Sequence, residues 1–343
     1  MPWSKLFTPE SRAHDAQRRR GTHETIRMKS KPPSLERLAT ERPNPASTDL
    51  DLKSGIEIAR IINAEDAKVA AAVRRAIPQI GRAIDLIAAQ LRKGGRLIYV
   101  GTGTSGRIGA LDASECSPTF GIDPSKVQYI IAGGAKALAV PLEASEDSHA
   151  QGRAQMSKRK PGKNDVIVGI AASGRTPFTI AAVEYARSRG AQTIAVTCNR
   201  DSRLERAAHF AIVTDVGPEV LAGSSRMKAG SAQKMVLNML STGAMTRLGY
   251  VYGNLMVNLH LKNEKLAERG VTILEWAAGL EREEARRALR STGNDVPIAL
   301  VMLKAGVTRA QATRALKATG GHVRSAIGRA QSGGVLPKSA GRS

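Results

Sequence analysis

Aromatic residues are scarce, 3% of 343, so any core has to be assembled from Ala, Val, Ile and Leu. That mixture suits helices packed on a parallel sheet. Cysteine is nearly absent. Cys116 and Cys198 stand in differently patterned segments, which excludes a disulfide framework and a CxxC metal or redox site and leaves both as small core or pocket-wall residues. No run approaches the roughly 20 apolar residues of a membrane span, and Arg18, Arg19 and Arg20 precede no apolar stretch, so neither a membrane helix nor a secretory signal is expected. The expected compartment is the cytoplasm. Acidic residues are outnumbered 30 to 52 by basic ones, for a net charge of +22. Such an excess can mark a nucleic-acid binder. Here it gathers before about Lys31 and beyond Val271, with no interleaved aromatics in the tail to stack bases, which describes a solvated surface that also draws small anions. No specific nucleic-acid partner is expected.

What is present is organised unevenly. Residues 1–48 are polar, basic and punctuated by Pro32, Pro33, Pro43 and Pro45, and read as a disordered basic tail. A helical pattern begins near Lys53 and continues through Val69, Val73, Ile77, Ile80, Ile84, Ile87 and Leu91 as one apolar face, stopped by Gly94 and Gly95. Five β-rich runs follow, Leu97 to Val100, Val127 to Ala132, Val166 to Ile170, Thr193 to Thr197 and Phe210 to Thr214, with helices at Thr176 to Ser188 and Ser231 to Leu248. This alternation predicts an α/β fold with a parallel sheet. Beyond about Thr272, short Ala-, Leu- and Arg-rich segments broken by Gly293, Gly306 and Gly320-Gly321 predict a compact appendage of three or four helices. The expected units are thus 1–48, an α/β domain over 49–271, a helical domain over 272–332 and a tail over 333–343.

One pattern repeats. Val100-Gly101-Thr102-Gly103-Thr104-Ser105-Gly106-Arg107 and Val168-Gly169-Ile170-Ala171-Ala172-Ser173-Gly174-Arg175 share V-G-x-x-x-S-G-R, each after a strand. Turns of this kind, opening a helix, offer unpaired N–H groups, hydroxyls and a positive dipole end to an anion. A third candidate is Gly223 to Lys228, with Ser224, Ser225 and Lys228 as donors. Gly101, Gly103 and Gly106 also fit G-x-G-x-x-G, yet the second strand ends in Ile131-Ala132-Gly133-Gly134-Ala135, with no acidic residue for a ribose, and G-x-x-x-x-G-K-[ST] does not occur. No metal, nucleotide or other cofactor is expected. Two carboxylate clusters lie after strand ends, one spanning Asp112 and Glu115, the other Glu143, Glu146 and Asp147. On spacing alone they read as solvated or capping residues more readily than as catalytic ones.

The runs GTGTSGRIGALDASECSPTFG, GIAASGRTPF, GPEVLAGSSRMKAGSAQKMVLNMLSTGAM and GNLMVNL resemble the N-acetylmuramic acid 6-phosphate etherase family of the sugar isomerase (SIS) fold, over roughly Leu52 to Ala330. The resemblance implies a flavodoxin-like three-layer SIS core, a small ubiquitin-associated-like helical bundle at the C-terminus, a homodimer and a phosphosugar substrate. It implies a lyase of amino-sugar recycling from the cell wall, which releases D-lactate from N-acetylmuramic acid 6-phosphate and leaves N-acetylglucosamine 6-phosphate. It matches Glu115 and Glu146 to the family's two catalytic glutamates. The chemistry needs two such groups: the ring-opened aldehyde acidifies the carbon 2 proton for one carboxylate to remove, while a second, protonated group serves the departing ether oxygen on carbon 3 and later the incoming water. Glu115 is assigned to the ether oxygen and water, Glu146 to carbon 2. The phosphate is assigned to Gly103, Thr104, Ser105, Gly106, Arg107, Ser173, Gly174, Arg175, Thr176, Ser224, Ser225 and Lys228. Ser117 departs from the family, which commonly has proline there. A non-catalytic phosphosugar sensor is the alternative, opposed by the presence of both glutamates. A SIS transcription regulator would need a DNA-binding module that residues 1–48 cannot supply, and an aldose-ketose isomerase would need no acid over the carbon 3 ether.

Overall fold

The computed structural model describes residues 38–142, 145–259, 261 and 263–333, so the expected tails up to residue 37 and after 333 lie outside it. Helix α1 (Gly55–Arg75) opens where the Glu57 carboxylate reaches back to the Ser54 N–H at 2.8 Å. It ends at Ala76, and α2 (Ile77–Arg92) starts afresh. The single helical face expected through Val69 and Leu91 is therefore two helices. Pro78 has no N–H to offer the Arg74 carbonyl, and its ring crowds that position. Ile77, placed by periodicity on the core face, is 52% exposed.

Five strands follow: β1 (Leu97–Gly101), β2 (Val127–Ile131), β3 (Val166–Ile170), β4 (Gln192–Thr197) and β5 (Phe210–Val213). All pair in parallel in the order β2-β1-β3-β4-β5, as the βαβ alternation predicts. Between and after them lie α3 (Gly103–Phe120), α4 (His149–Lys158), α5 (Pro177–Ser188), α6 (Arg203–Ala207) and α7 (Lys228–Leu248). Strand side chains alternate between two cores. Leu97, Tyr99, Val166, Val168 and Ile194 join α1, α2, α3 and α7 on one face. Ile98, Val100, Ile167 and Ala195 join α4, α5 and α6 on the other. Both faces are covered, so the strands carry near-continuous apolar runs.

The sheet order reverses at β1: the chain steps out to β2 on one side and returns to β3 on the other. Gly101 is in register with Ile170, so the two V-G-x-x-x-S-G-R turns leave adjacent strands at the switch point where open α/β sheets bind ligands.

Two expected boundaries move. Residues 38–52 form three short 3₁₀ turns, Ala39–Glu41, Pro45–Ser47 and Leu50–Leu52, and the first two are fastened to the body. The Asn44 amide donates to the Pro218 carbonyl at 3.1 Å, the Ser47 hydroxyl to that of Val220 at 2.7 Å, and the Gly223 N–H to that of Thr40 at 3.2 Å. This part of the expected tail is packed by hydrogen bonds, which leave no apolar periodicity to read. At the other end the boundary at 271 falls inside α8 (Glu264–Ala278). With α9 (Arg282–Ser291), α10 (Val296–Ala305), α11 (Arg309–Ala318) and α12 (Val323–Gly333) it makes a C-terminal region of five helices around its own core, which includes Leu274, Leu289, Leu300 and Leu316. No helix among the described residues is long and apolar enough to cross a membrane.

Candidate active site

The first turn of α3 presents open N–H groups at the end of β1. The Gly106 N–H returns to the Thr102 carbonyl at 3.0 Å, leaving those of Gly103, Thr104 and Ser105 without an acceptor among the described residues. The chain enters this turn at φ +48° on Gly103, a conformation that suits glycine. A Cβ there would lie 3.1 Å from a carboxylate oxygen of Glu146, so Glu146, half-buried and 43 residues downstream, stands against the mouth of this helix. Its backbone carbonyl accepts from the Phe178 N–H at 3.1 Å, in the first turn of α5, which ties it to the second loop as well.

That loop turns at Gly174, φ +66°, where a side chain would overlap Ser202. The Ser173 hydroxyl accepts from the Arg175 N–H at 3.3 Å, and Thr176 forms the N-cap of α5. The third loop adjoins the first: a Cβ on Gly230 would sit 3.5 Å from the Thr104 methyl and 3.6 Å from the Ser225 carbonyl. Gly103, Thr104, Ser105, Glu146, the 173–176 turn and Ser225 are thus gathered at one edge.

Other expected residues go elsewhere. Arg107 donates through Nε to the Leu138 carbonyl at 3.2 Å, which anchors the segment leading to Glu146. Lys228 is 1% exposed, and its ammonium donates to Glu65 on α1 at 2.6 Å. The N-terminus of α7 is also occupied. The Glu219 carboxylate accepts from the N–H groups of Lys228 and Ala229, both at 2.9 Å, while those of Gly230 and Ser231 reach the Ser225 and Met227 carbonyls. Burial pushes the Glu219 carboxyl up against these bonds. A helix end that already holds the chain's own carboxylate has nothing left for a phosphate, so Lys228 is removed from the set of phosphate donors.

The pair it makes instead carries stability. Burial alone would raise the Glu65 carboxyl, but hydrogen bonds from Lys228, Lys68 and Asn44 outweigh it and bring its pKa to about 2. A depressed carboxylate stabilises the fold above its ordinary value of 4.5 and loses that contribution as pH falls from 4.5 through 2. Lys228→Met, which strands a buried carboxylate, is expected to cost roughly 3–5 kcal/mol in urea unfolding at pH 7. The gap to wild type should narrow between pH 4.5 and 3; an equal gap at both would refute the assignment.

Glu115 is the outlier. It lies about three turns further along α3, about 18 Å from Gly103 at the rise of an α-helix, and it is exposed. Leu111, Ser114, Glu115 and Pro118 form one exposed stripe on this helix, and Leu111 is 52% exposed. The inward face is fixed by Asp112, whose carboxylate accepts from Tyr99 Oη at 2.7 Å, Asn238 Nδ2 at 2.8 Å and Ser241 Oγ at 3.0 Å. Burial raises the Asp112 carboxyl despite these donors. Asp112 is therefore a clasp between β1, α3 and α7. Cys116 and Cys198 are both buried, with thiols pushed up to about 12 by burial, as inert core residues.

Sequence reasoning missed Glu65, Glu219, Asn199 and Gln233. Asn199, 6% exposed, accepts from the Ala39 N–H at 2.9 Å and donates to the Ala172 carbonyl at 3.0 Å, linking the N-terminal turns to the base of the second loop. Gln233 accepts from the Ser105 hydroxyl at 2.9 Å. Each sits on a helix or loop remote in sequence from its partner, and no local pattern announces it.

Comparison with known proteins gives the same picture. Residues 79–187 match the glucokinase regulatory protein N-terminal SIS domain, and residues 141–243 match the SIS domain. An N-acetylmuramic acid 6-phosphate etherase of Symbiobacterium thermophilum is 56% identical over 270 residues, 78% of this chain and 89% of that protein. Proteins of the same name from Clostridium beijerinckii and Aeromonas hydrophila are 49% and 50% identical, over 79% and 78% of this chain and 89% and 90% of their own.

Proposed function

The chain belongs to the N-acetylmuramic acid 6-phosphate etherase family, and from that premise we propose that it is a carbon-oxygen lyase that converts N-acetylmuramic acid 6-phosphate and water to N-acetylglucosamine 6-phosphate and D-lactate. The observation that carries the reading is the Glu146 carboxylate beside Gly103, at the mouth of an α3 N-terminus whose N–H groups are open. A phosphate on those N–H groups and on the Ser105 and Ser173 loops holds the unreacting end of the sugar and presents its carbons to Glu146. Glu146 takes the carbon 2 proton of the ring-opened aldehyde. As the carbon 3 to oxygen bond breaks, the second glutamate protonates the lactyl oxygen, and the resulting unsaturated aldehyde accepts water at carbon 3 with that glutamate now acting as base.

Glu115 cannot be that second group within one chain, because a hexose phosphate does not bridge about 18 Å along α3. We therefore place the working site in a homodimer, in which the exposed α3 stripe of one copy delivers Glu115 to the loops of the other. Burial of Leu111 in that interface removes an exposed apolar surface. The cytoplasm, where phosphorylated sugars are held, is the compartment this reading requires.

The domain match to the glucokinase regulatory protein describes the shared SIS architecture and leaves a sensor role to be decided by turnover. Purified protein incubated with N-acetylmuramic acid 6-phosphate should release one D-lactate per sugar, and the unphosphorylated sugar should be a poor substrate. Tight binding of the phosphosugar without lactate would establish the sensor instead.

A further inference from the structure

We infer that Gln233 is a positioning residue of the phosphate site, whose side-chain amide sets the direction in which the Ser105 hydroxyl points its proton. The inference rests on the etherase reading for its substrate but on independent geometry for its content. Gln233 is 1% exposed and lies on α7 among Ala229, Ala232, Val236, Leu237 and Leu240, all fully buried; the helix's other deeply buried polar side chains have evident partners, Lys228 in Glu65 and Ser241 in Asp112. Packing does not call for an amide there; Met or Leu would fill the space without the desolvation penalty.

Its oxygen has a partner, the Ser105 hydroxyl at 2.9 Å, while its buried Nε2 has none among the described residues. An unmade bond on a buried donor is destabilising, so its presence here calls for a compensating use.

The use follows from the inventory of Ser105. A hydroxyl has one proton and two acceptor positions. In the orientation seen, that proton is given to Gln233 and is lost to any ligand at the helix mouth. A half-turn of the amide places Nε2 against Ser105 Oγ within nearly the same volume. Ser105 then accepts from Gln233, and its proton is released toward a phosphate oxygen. The ligand class is a phosphate monoester, because the remaining donors around Ser105 are the unpaired N–H groups of the α3 first turn. Gln233 does not itself reach the ligand, since its Nε2 is shielded from solvent. It acts through Ser105.

The test uses the full chain carrying Gln233→Met, Gln233→Glu, Ser105→Ala, or Ser105→Ala with Gln233→Met. KM and kcat are read from lactate release, the Kd for N-acetylglucosamine 6-phosphate from calorimetry, and Tm from thermal unfolding. Gln233→Met should raise KM and the Kd about tenfold, as for loss of one charge-assisted hydrogen bond of about 1.4 kcal/mol, with kcat within about threefold. Tm should hold or rise, because an unpaired buried amide is gone. Gln233→Glu, which keeps an acceptor but brings no N–H, should bind at least as weakly. In the Ser105→Ala background the Gln233 change should add nothing. Unchanged KM and Kd in Gln233→Met, or an undiminished effect in the absence of the Ser105 hydroxyl, would overturn the inference. A wild type that binds the 6-phosphate without releasing lactate would sink the etherase reading, while the Kd series would still decide the role of Gln233.

Discussion

In a Glu115→Gln enzyme, D-lactate release falls by about 10²- to 10⁴-fold, while KM for the phosphosugar stays within a few-fold of wild type. Glutamine preserves the shape of the side chain and cannot donate the proton that the leaving ether oxygen requires or recover one from the attacking water. The proposed phosphate anchor comprises Gly103, Thr104, Ser105 and the 173–176 turn, and Glu115 lies about three turns away on α3, so the substitution leaves the anchor untouched. Glu115 is also exposed and three residues from the Asp112 clasp without sharing in it, so Tm should stay at the wild-type value. Near wild-type lactate release from this enzyme would remove Glu115 from the mechanism.

Mixing two dead enzymes should restore activity. In the proposed homodimer, Glu115→Gln and Glu146→Gln proteins each lack one group at every site. If the site is shared, a heterodimer of the two holds one site with both glutamates and one with neither. Random assortment makes half of the dimers mixed, so co-expressed or co-refolded chains should recover about a quarter of wild-type turnover. The pure variants should stay near their residual rates under the same treatment. Absence of any recovery, with mixed dimers demonstrated by differential tagging, would mean that the two carboxylates act within one chain, contrary to the distance of Glu115 from the α3 mouth where Glu146 stands.

The strands and the echoing loops were legible because they are local: each run from Leu97 to Thr214 pairs apolar β-formers with a bounding turn, and β3 matched its expected limits of Val166 and Ile170. The failures are all relations at a distance. Lys228 looked like a phosphate donor because its neighbours are Ser224 and Ser225, and nothing near it discloses Glu65 on α1 or the carboxylate of Glu219 folded back onto the helix end. The break at Ala76 has a local signal in Pro78, which the apolar period through Val69 and Leu91 does not register. Residues 38–48 carried no hydrophobic pattern because Asn44, Ser47 and Thr40 hold them by hydrogen bonds to residues 173 or more positions later, or to Asn199. The separation of Glu115 from Glu146 was invisible for a similar reason. A motif records which residues are present, and only the helix that carries Glu115 shows that it points away from its own loops.

The central claim is elimination and hydration at carbons 2 and 3, and one labelled reaction tests it directly. Wild-type enzyme is incubated with N-acetylmuramic acid 6-phosphate in D₂O containing ¹⁸O, and both products are analysed by mass spectrometry. The account predicts deuterium on carbon 2 of N-acetylglucosamine 6-phosphate, through exchange of the proton held by Glu146 with solvent, together with ¹⁸O on its carbon 3 hydroxyl and none in D-lactate. ¹⁸O in lactate, or product with ¹⁸O at carbon 3 and only protium at carbon 2, would contradict it.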